Sequence, residues 1–63
     1  MNKQFVGSAP VFVDLSLDPA EYRGMSVPRI TREIRNHLRQ IAPNASFFDA
    51  DVMEAANELA SRR

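Results

Sequence analysis

The sequence predicts an α+β fold in which an amino-terminal β-strand or hairpin precedes a short helical turn and two longer antiparallel α-helices. Apolar residues recur at every second position between Val11 and Leu17, which is typical of a strand with one buried face. Apolar residues recur every three or four positions over Val27–Ile41 and over Phe48–Leu59, which is typical of amphipathic helices. Because 63 residues can form only one core, we expect a single small domain over residues 1–63.

The first third of the chain has two interpretations. Residues 4–6 form a short candidate strand, and the small residues and proline at 7–10 indicate a turn or a flexible arm. If residues 3–6 pair with Val11–Leu17, the segment is a β-hairpin. If residues 1–9 form an arm instead, the strand needs another chain, because a lone strand leaves its backbone groups unpaired.

A helix-start signal follows the strand. Asp18 is a favourable N-cap, Pro19 suits the first helical position and Glu21 suits the third. Gly24 interrupts the pattern soon afterwards, so we expect one or two helical turns. Tyr22 is predicted to lie at the edge of the core.

Ser26 is the predicted N-cap of the next helix, which runs to about Ala42, where Pro43 stops it. Its apolar face consists of Val27, Ile30, Ile34, Leu38 and Ile41. Polar residues occupy the other side, with three arginines opposite the apolar face and two further residues at the margin. We name this set the arginine stripe: Arg32, Arg35 and Arg39 opposite, and Arg29 and Asn36 at the margin.

The last predicted helix begins near residues 47–49 and frays by Arg63. Its apolar face consists of Phe48, Val52, Ala55, Ala56 and Leu59. Carboxylates crowd the same helix, at Asp49, Asp51, Glu54 and Glu58. The formal net charge of +0 therefore conceals a basic helix followed by an acidic one, whose charges either face each other or face a partner.

Composition and motifs argue against an enzyme. The chain has no cysteine and a single histidine, so neither a disulfide nor a metal site is expected, and no cofactor is implied. Its two glycines form no phosphate-binding loop, and its serines show no nucleophile motif. Glu33 and His37 stand one helical turn apart, which is better explained as a surface pair than as half of a proton relay. With no signal-peptide or membrane-spanning pattern, we expect a cytoplasmic protein.

Binding is the predicted function. The leading hypothesis is a small non-enzymatic regulator that inhibits another protein by occlusion, with the arginine stripe meeting an acidic surface. Arginine outnumbers lysine seven to one, and its planar guanidinium forms bidentate bonds to carboxylate or phosphate. Phe12, Phe47 and Met53 are candidate apolar anchors, because each falls away from the centre of a predicted core face. Ordinary core packing is the alternative for Phe12 and Phe47.

Two other functions remain open. The arginine stripe also suits the phosphates of nucleic acid, as in a dimeric DNA-binding regulator. The strand followed by helices is loosely similar to ribbon-helix-helix repressors, but residues 18–23 are too short for the first helix of that fold. A structural subunit that docks through its strand edge is the third hypothesis. Because a domain this small buries a limited core, we expect a homodimer or an obligate complex.

Overall fold

The computed structural model describes residues 1–8 and 10–62, and Ala9 and Arg63 lie outside the described residues. In chain order the elements are strand β1 (Asn2–Gly7), strand β2 (Val11–Ser16), a 3₁₀ turn (Pro19–Tyr22), helix α1 (Val27–Ile41) and helix α2 (Asp49–Arg62). The predicted α+β architecture is confirmed. The hairpin interpretation of the first third is also confirmed, because β1 pairs with β2 in the same chain.

The two strands form an antiparallel ladder whose register separates an inner from an outer face. Phe5 pairs with Val13 and Lys3 pairs with Leu15, and of these side chains the three apolar ones are buried. The Met1 amine donates to the Leu17 carbonyl and the Leu17 amide donates to the Met1 carbonyl, each over 2.7 Å. Met1 and Leu17 are therefore a hydrogen-bonded pair, in phase with the inner-facing residues of the ladder. Hydrogen-bonded and non-hydrogen-bonded pairs alternate along an antiparallel ladder, so the pairs on the outer face are non-hydrogen-bonded.

A third segment extends the hairpin at one end. Gly7 forms an antiparallel bridge with Phe47, in the connector between the two helices. Beside it, the Ser8 amide donates to the Ser46 carbonyl over 2.9 Å, and the Ser46 amide donates to the Ser8 hydroxyl over 3.0 Å. Glycine is required at this bridge, because a Cβ atom on Gly7 would lie 2.9 Å from Cε1 of the Phe47 ring.

Local signals set the remaining boundaries as predicted. The Asp18 carboxylate accepts from the Ala20 amide over 3.0 Å and caps the 3₁₀ turn. Gly24 follows with a φ of 84°, a conformation that glycine adopts without steric cost. The Ser26 hydroxyl accepts from the Arg29 amide over 3.4 Å and caps α1.

One core joins all the elements. It consists of Phe5, Val13, Leu15, Leu17, Tyr22, Ile30, Ile34, Leu38, Val52, Ala55, Ala56 and Leu59. Burial raises the pKa of Tyr22, and the nearby Glu21 and Glu33 raise it further. The inner face of the hairpin and the inner faces of both helices contribute to this cluster. The outer face of the hairpin and the outer faces of the helices therefore point away from this core.

Two residues predicted to be core are exposed instead. The Phe48 side chain is 69 % exposed, because α2 begins only at Asp49 and Phe48 continues the extended segment that pairs with β1. Ile41 is 57 % exposed, because it is the last residue of α1 and its side chain lies beyond the packed part of the helix. The interior of each predicted apolar face is confirmed.

Of the helices in residues 1–8 and 10–62, α1 is the longest at 15 residues, and none combines the length and apolar character needed to cross a membrane.

Candidate functional site

The structure shifts the centre of the arginine stripe. Arg29, Arg32, Asn36 and Arg39 are exposed, whereas Arg35 is half-buried. The sequence analysis put Arg35 opposite the core and Arg29 and Asn36 at the margin, and this assignment is wrong. Arg32 and Asn36 each lie two positions, about 200°, from the fully buried Ile34, so they are most nearly opposite the core. Arg35 lies only about 100° from Ile34, at the boundary with α2.

Helix α2 neutralises only one of the four arginines of α1. Arg35 forms an ion pair with Asp49 at the start of α2, with an N–O distance of 2.5 Å. Among the described residues, Arg29, Arg32 and Arg39 form no ion pair. The two charged helices therefore face each other only at this one pair, and three guanidinium groups are available to a partner.

Two other carboxylates of α2 pair with residues outside the arginine stripe. Glu54 pairs with Lys3 of β1 over 3.5 Å, and Glu58 pairs with Arg62 of its own helix over 3.6 Å. Each pair includes a largely exposed carboxylate or guanidinium group and contributes at most about 1 kcal/mol. The acidic helix consequently leaves the stripe strongly positive on its solvent side.

Met53 borders the stripe on the neighbouring helix. It is 50 % exposed and lies one turn after Asp49, so the two residues share a side of α2. Because Asp49 contacts Arg35 and the helices are antiparallel, one turn forward on α2 is level with one turn back on α1. Met53 therefore lies near the level of Arg32, and its role as an apolar anchor stays a prediction.

A cavity of about 250 Å³ opens between the end of α1 and the start of α2. Leu38, Phe47 and Val52 provide apolar walls, and Arg35 and Arg39 contribute two guanidinium groups. The recess is mainly polar, and it holds one guanidinium already paired with Asp49 (Arg35) and one without an ion pair (Arg39), so it is chemically suited to a carboxylate. Phe47 lines this recess and packs against the core. It is therefore not the exposed apolar anchor that the sequence analysis suggested.

A second surface lies on the outer face of the hairpin, and the sequence analysis found only one of its members. Val6 pairs with Phe12 across the ladder, and the antiparallel bridge between Gly7 and Phe47 places the next residue, Phe48, opposite Val6. The three side chains are 36 %, 61 % and 69 % exposed, for Val6, Phe12 and Phe48 respectively. We name this set the apolar row.

The missed members of the apolar row had different sequence signals. Val6 follows Phe5 in a strand, so simple alternation places it on the outer face once Phe5 is known to be buried. Phe48 had no local signal, because its position depends on pairing between segments about forty residues apart.

Residues 1–8 and 10–62 contain no group of three or more His, Asp or Glu side chains placed to hold a metal ion. The chain matches no protein-family model, no curated protein and no solved structure. Any functional conclusion therefore depends on the two exposed surfaces described above.

Proposed function

We propose that this protein is a small non-enzymatic regulator that binds an acidic surface of another protein through the arginine stripe and thereby occludes it. The observation that carries the proposal is that Arg29, Arg32 and Arg39 form no ion pair within the described chain although an acidic helix packs beside them. Their positive charge is therefore available to the carboxylates of a partner.

The surroundings of the stripe favour a protein over a nucleic acid. Met53 offers an exposed apolar contact beside the charged surface. Protein interfaces combine charged groups with buried apolar anchors in this way. Dedicated nucleic-acid binders usually carry a net positive charge, whereas this chain has a formal net charge of +0.

The location of the two surfaces on different elements limits which residues are assigned to the contact with the target. The arginine stripe belongs to helix α1, whereas the apolar row belongs to the outer face of the hairpin and the connector. Occlusion of the target is assigned to the helix side alone, with Met53 as its apolar contact. Phe12 is not part of this interface.

The test uses charge reversal on the stripe. Arg32→Glu with Arg39→Glu should abolish capture of the target from host lysate, because two attractive contacts become repulsive. The matched control is Arg23→Glu with Arg62→Glu, which changes the net charge equally at exposed positions outside the stripe. Circular dichroism checks the fold of this control, because the change at Arg62 sets a carboxylate beside Glu58. Arg35 is left intact, because its reversal would place a second carboxylate beside Asp49 at the contact between the helices.

Each lysate is divided into nuclease-treated and untreated halves, and captured proteins are identified by mass spectrometry. One dominant protein that survives nuclease and is lost only with the stripe variant supports the proposal. Full capture of that protein by a stripe variant with native circular dichroism would exclude the arginine stripe as the binding surface.

A DNA-binding function is the second candidate, and one observation favours it. Arg29, Arg32 and Arg39 extend for about 15 Å along an exposed helix face that also carries Asn36, which is a geometry able to follow a phosphate backbone. Three phosphate contacts predict that log K falls with log salt at a slope of roughly −2.7. Loss of all captured material after nuclease treatment, together with this slope, would favour DNA over a protein target.

A further inference from the structure

We propose that the recess between the end of α1 and the start of α2 is a binding site for one carboxylate group, supplied by an acidic side chain or a chain end of a peptide. The guanidinium groups of Arg35 and Arg39 line this recess together with Ser46. Arg39 and Ser46 are exposed, so a ligand reaches them directly from solvent. Guanidinium and hydroxyl groups are donors, and the two oxygens of a carboxylate accept from several donors at once.

Most hydrogen-bond donors of the recess are unused within the described chain. Arg35 donates to Oδ1 of Asp49 through Nη2, and its Nε and Nη1 groups donate to no residue among 1–8 and 10–62. In the same residues, the Arg39 guanidinium forms neither an ion pair nor a hydrogen bond, and the Ser46 hydroxyl donates to no acceptor. These donors are therefore available to a ligand in the recess.

The charges around the recess favour a ligand with a single negative charge. Arg35 and Asp49 neutralise each other, so Arg39 contributes one positive charge that has no counter-charge. A carboxylate balances this charge. A phosphate dianion would instead leave one negative charge uncompensated near Asp49.

The size and the walls of the recess favour one side chain or chain end over a whole small molecule. Its volume of about 250 Å³ lies below the roughly 300–1,000 Å³ of pockets that enclose such molecules. Leu38 and Val52 of the core form part of the wall, and two hydrogen bonds between Ser8 and Ser46 fix the connector. The recess is therefore formed before a ligand arrives, which lowers the cost of binding.

The inference deepens the proposed function, on which it rests for the source of the carboxylate, because Arg39 also belongs to the arginine stripe. It is tested without the target, by NMR titration of the ¹⁵N-labelled chain with four short glycine peptides. One carries a single glutamate and blocked ends, the second carries glutamine in its place, the third has only a free carboxyl terminus, and the fourth carries phosphoserine.

The two carboxylate peptides distinguish the two sources of the group. Saturable shifts of the Arg39, Ser46 and Phe47 amides are expected with one or both, at a Kd on the order of 1 mM because the ligand is small. The peptide with the lower Kd identifies whether a side chain or a chain end is received. The glutamine peptide should cause no saturable shift.

Arg39→Gln should weaken binding at least about tenfold, because it removes a charge-assisted hydrogen bond. The matched control is Arg32→Gln, which removes an equally exposed and unpaired charge of α1 outside the recess. Its Kd should stay within about twofold of the unaltered chain, because salt screens distant exposed charges. Circular dichroism checks that both variants are folded.

Four results would overturn the proposal: equal losses in the two variants, equal shifts with the glutamine peptide, no saturable shift with either carboxylate, or tighter binding of the phosphoserine peptide. Failure of the titration leaves the capture of a target from lysate unaffected. Carboxylate binding in the recess without any captured target would overturn the proposed function alone.

Discussion

The arginine stripe and the apolar row arise from the sequence in different ways. The stripe is encoded within a single helix, where three- and four-residue spacing alone places its members on one side. The row draws on β1, β2 and the connector before α2, and it exists only when these segments pair in the observed register. A local pattern therefore produces the charged surface, whereas long-range pairing produces the apolar one.

The largest expected effect comes from comparing the two faces of the hairpin. Phe5→Ala should lower the free energy of unfolding by about 3–5 kcal/mol, because Phe5 is 0 % exposed and its removal leaves a cavity. Phe12→Ala, the same substitution on the outer face, should cost at most about 1 kcal/mol. Urea unfolding at low protein concentration gives both values, and similar losses for the two variants would contradict the assignment of inner and outer faces.

An intermediate effect is expected where the apolar row depends on Gly7. Gly7→Ala should cost about 1–3 kcal/mol, because the new methyl group meets the Phe47 ring and must displace it. Amide resonances of Phe47 and Phe48 should shift as the bridge is disturbed. Gly24→Ala is the control. Its added methyl group strains the backbone at a φ of +84° but has no atom within 4 Å, so the resonances of Phe47 and Phe48 should stay in place. If the Phe48 resonances do not change in Gly7→Ala, the position of Phe48 in the apolar row does not depend on the bridge between Gly7 and Phe47.

The smallest effect concerns the one arginine that is neutralised. A double-mutant cycle with Arg35→Gln and Asp49→Asn should give a coupling energy of about 0.2–1 kcal/mol that shrinks as salt is raised, because both side chains are largely exposed. The same cycle with Arg32→Gln in place of Arg35→Gln should give no coupling. Equal coupling in both cycles would show that Asp49 acts on the whole stripe and not on Arg35 alone.

Much of the fold could be predicted from the sequence, because strong local signals agree with each other. The alternation over Val11–Leu17, the cap at Ser26 and the stop at Pro43 fixed the order and type of the elements. The choice between a hairpin and a free arm stayed open, because it depends on whether residues 3–6 find their partner in the same chain.

The candidate surfaces were harder to predict, for two physical reasons. Arg35 was placed opposite the apolar face with Arg32 and Arg39, whereas 100° per residue puts it only about 100° from Ile34, on the side of α1 that meets Asp49 of α2. The sequence analysis placed Phe48 in the core and Phe47 among the candidate exposed anchors, and the structure has the reverse. The apolar pattern continued the last helix back to Phe48, whereas the chain there is extended and Phe47 pairs with Gly7. A side chain's direction reverses with each residue of an extended segment, so an error of one position exchanges inside for outside.

The junction between Ser8 and Ser46 has a consequence for synthesis of the chain. These residues are 38 positions apart, and only after both are present can Phe48 take its place beside Val6. A chain interrupted before this point carries Val6 and Phe12 but lacks the third side chain of the row. The apolar row therefore forms late, only after residue 48 has been synthesised and the connector has paired with β1.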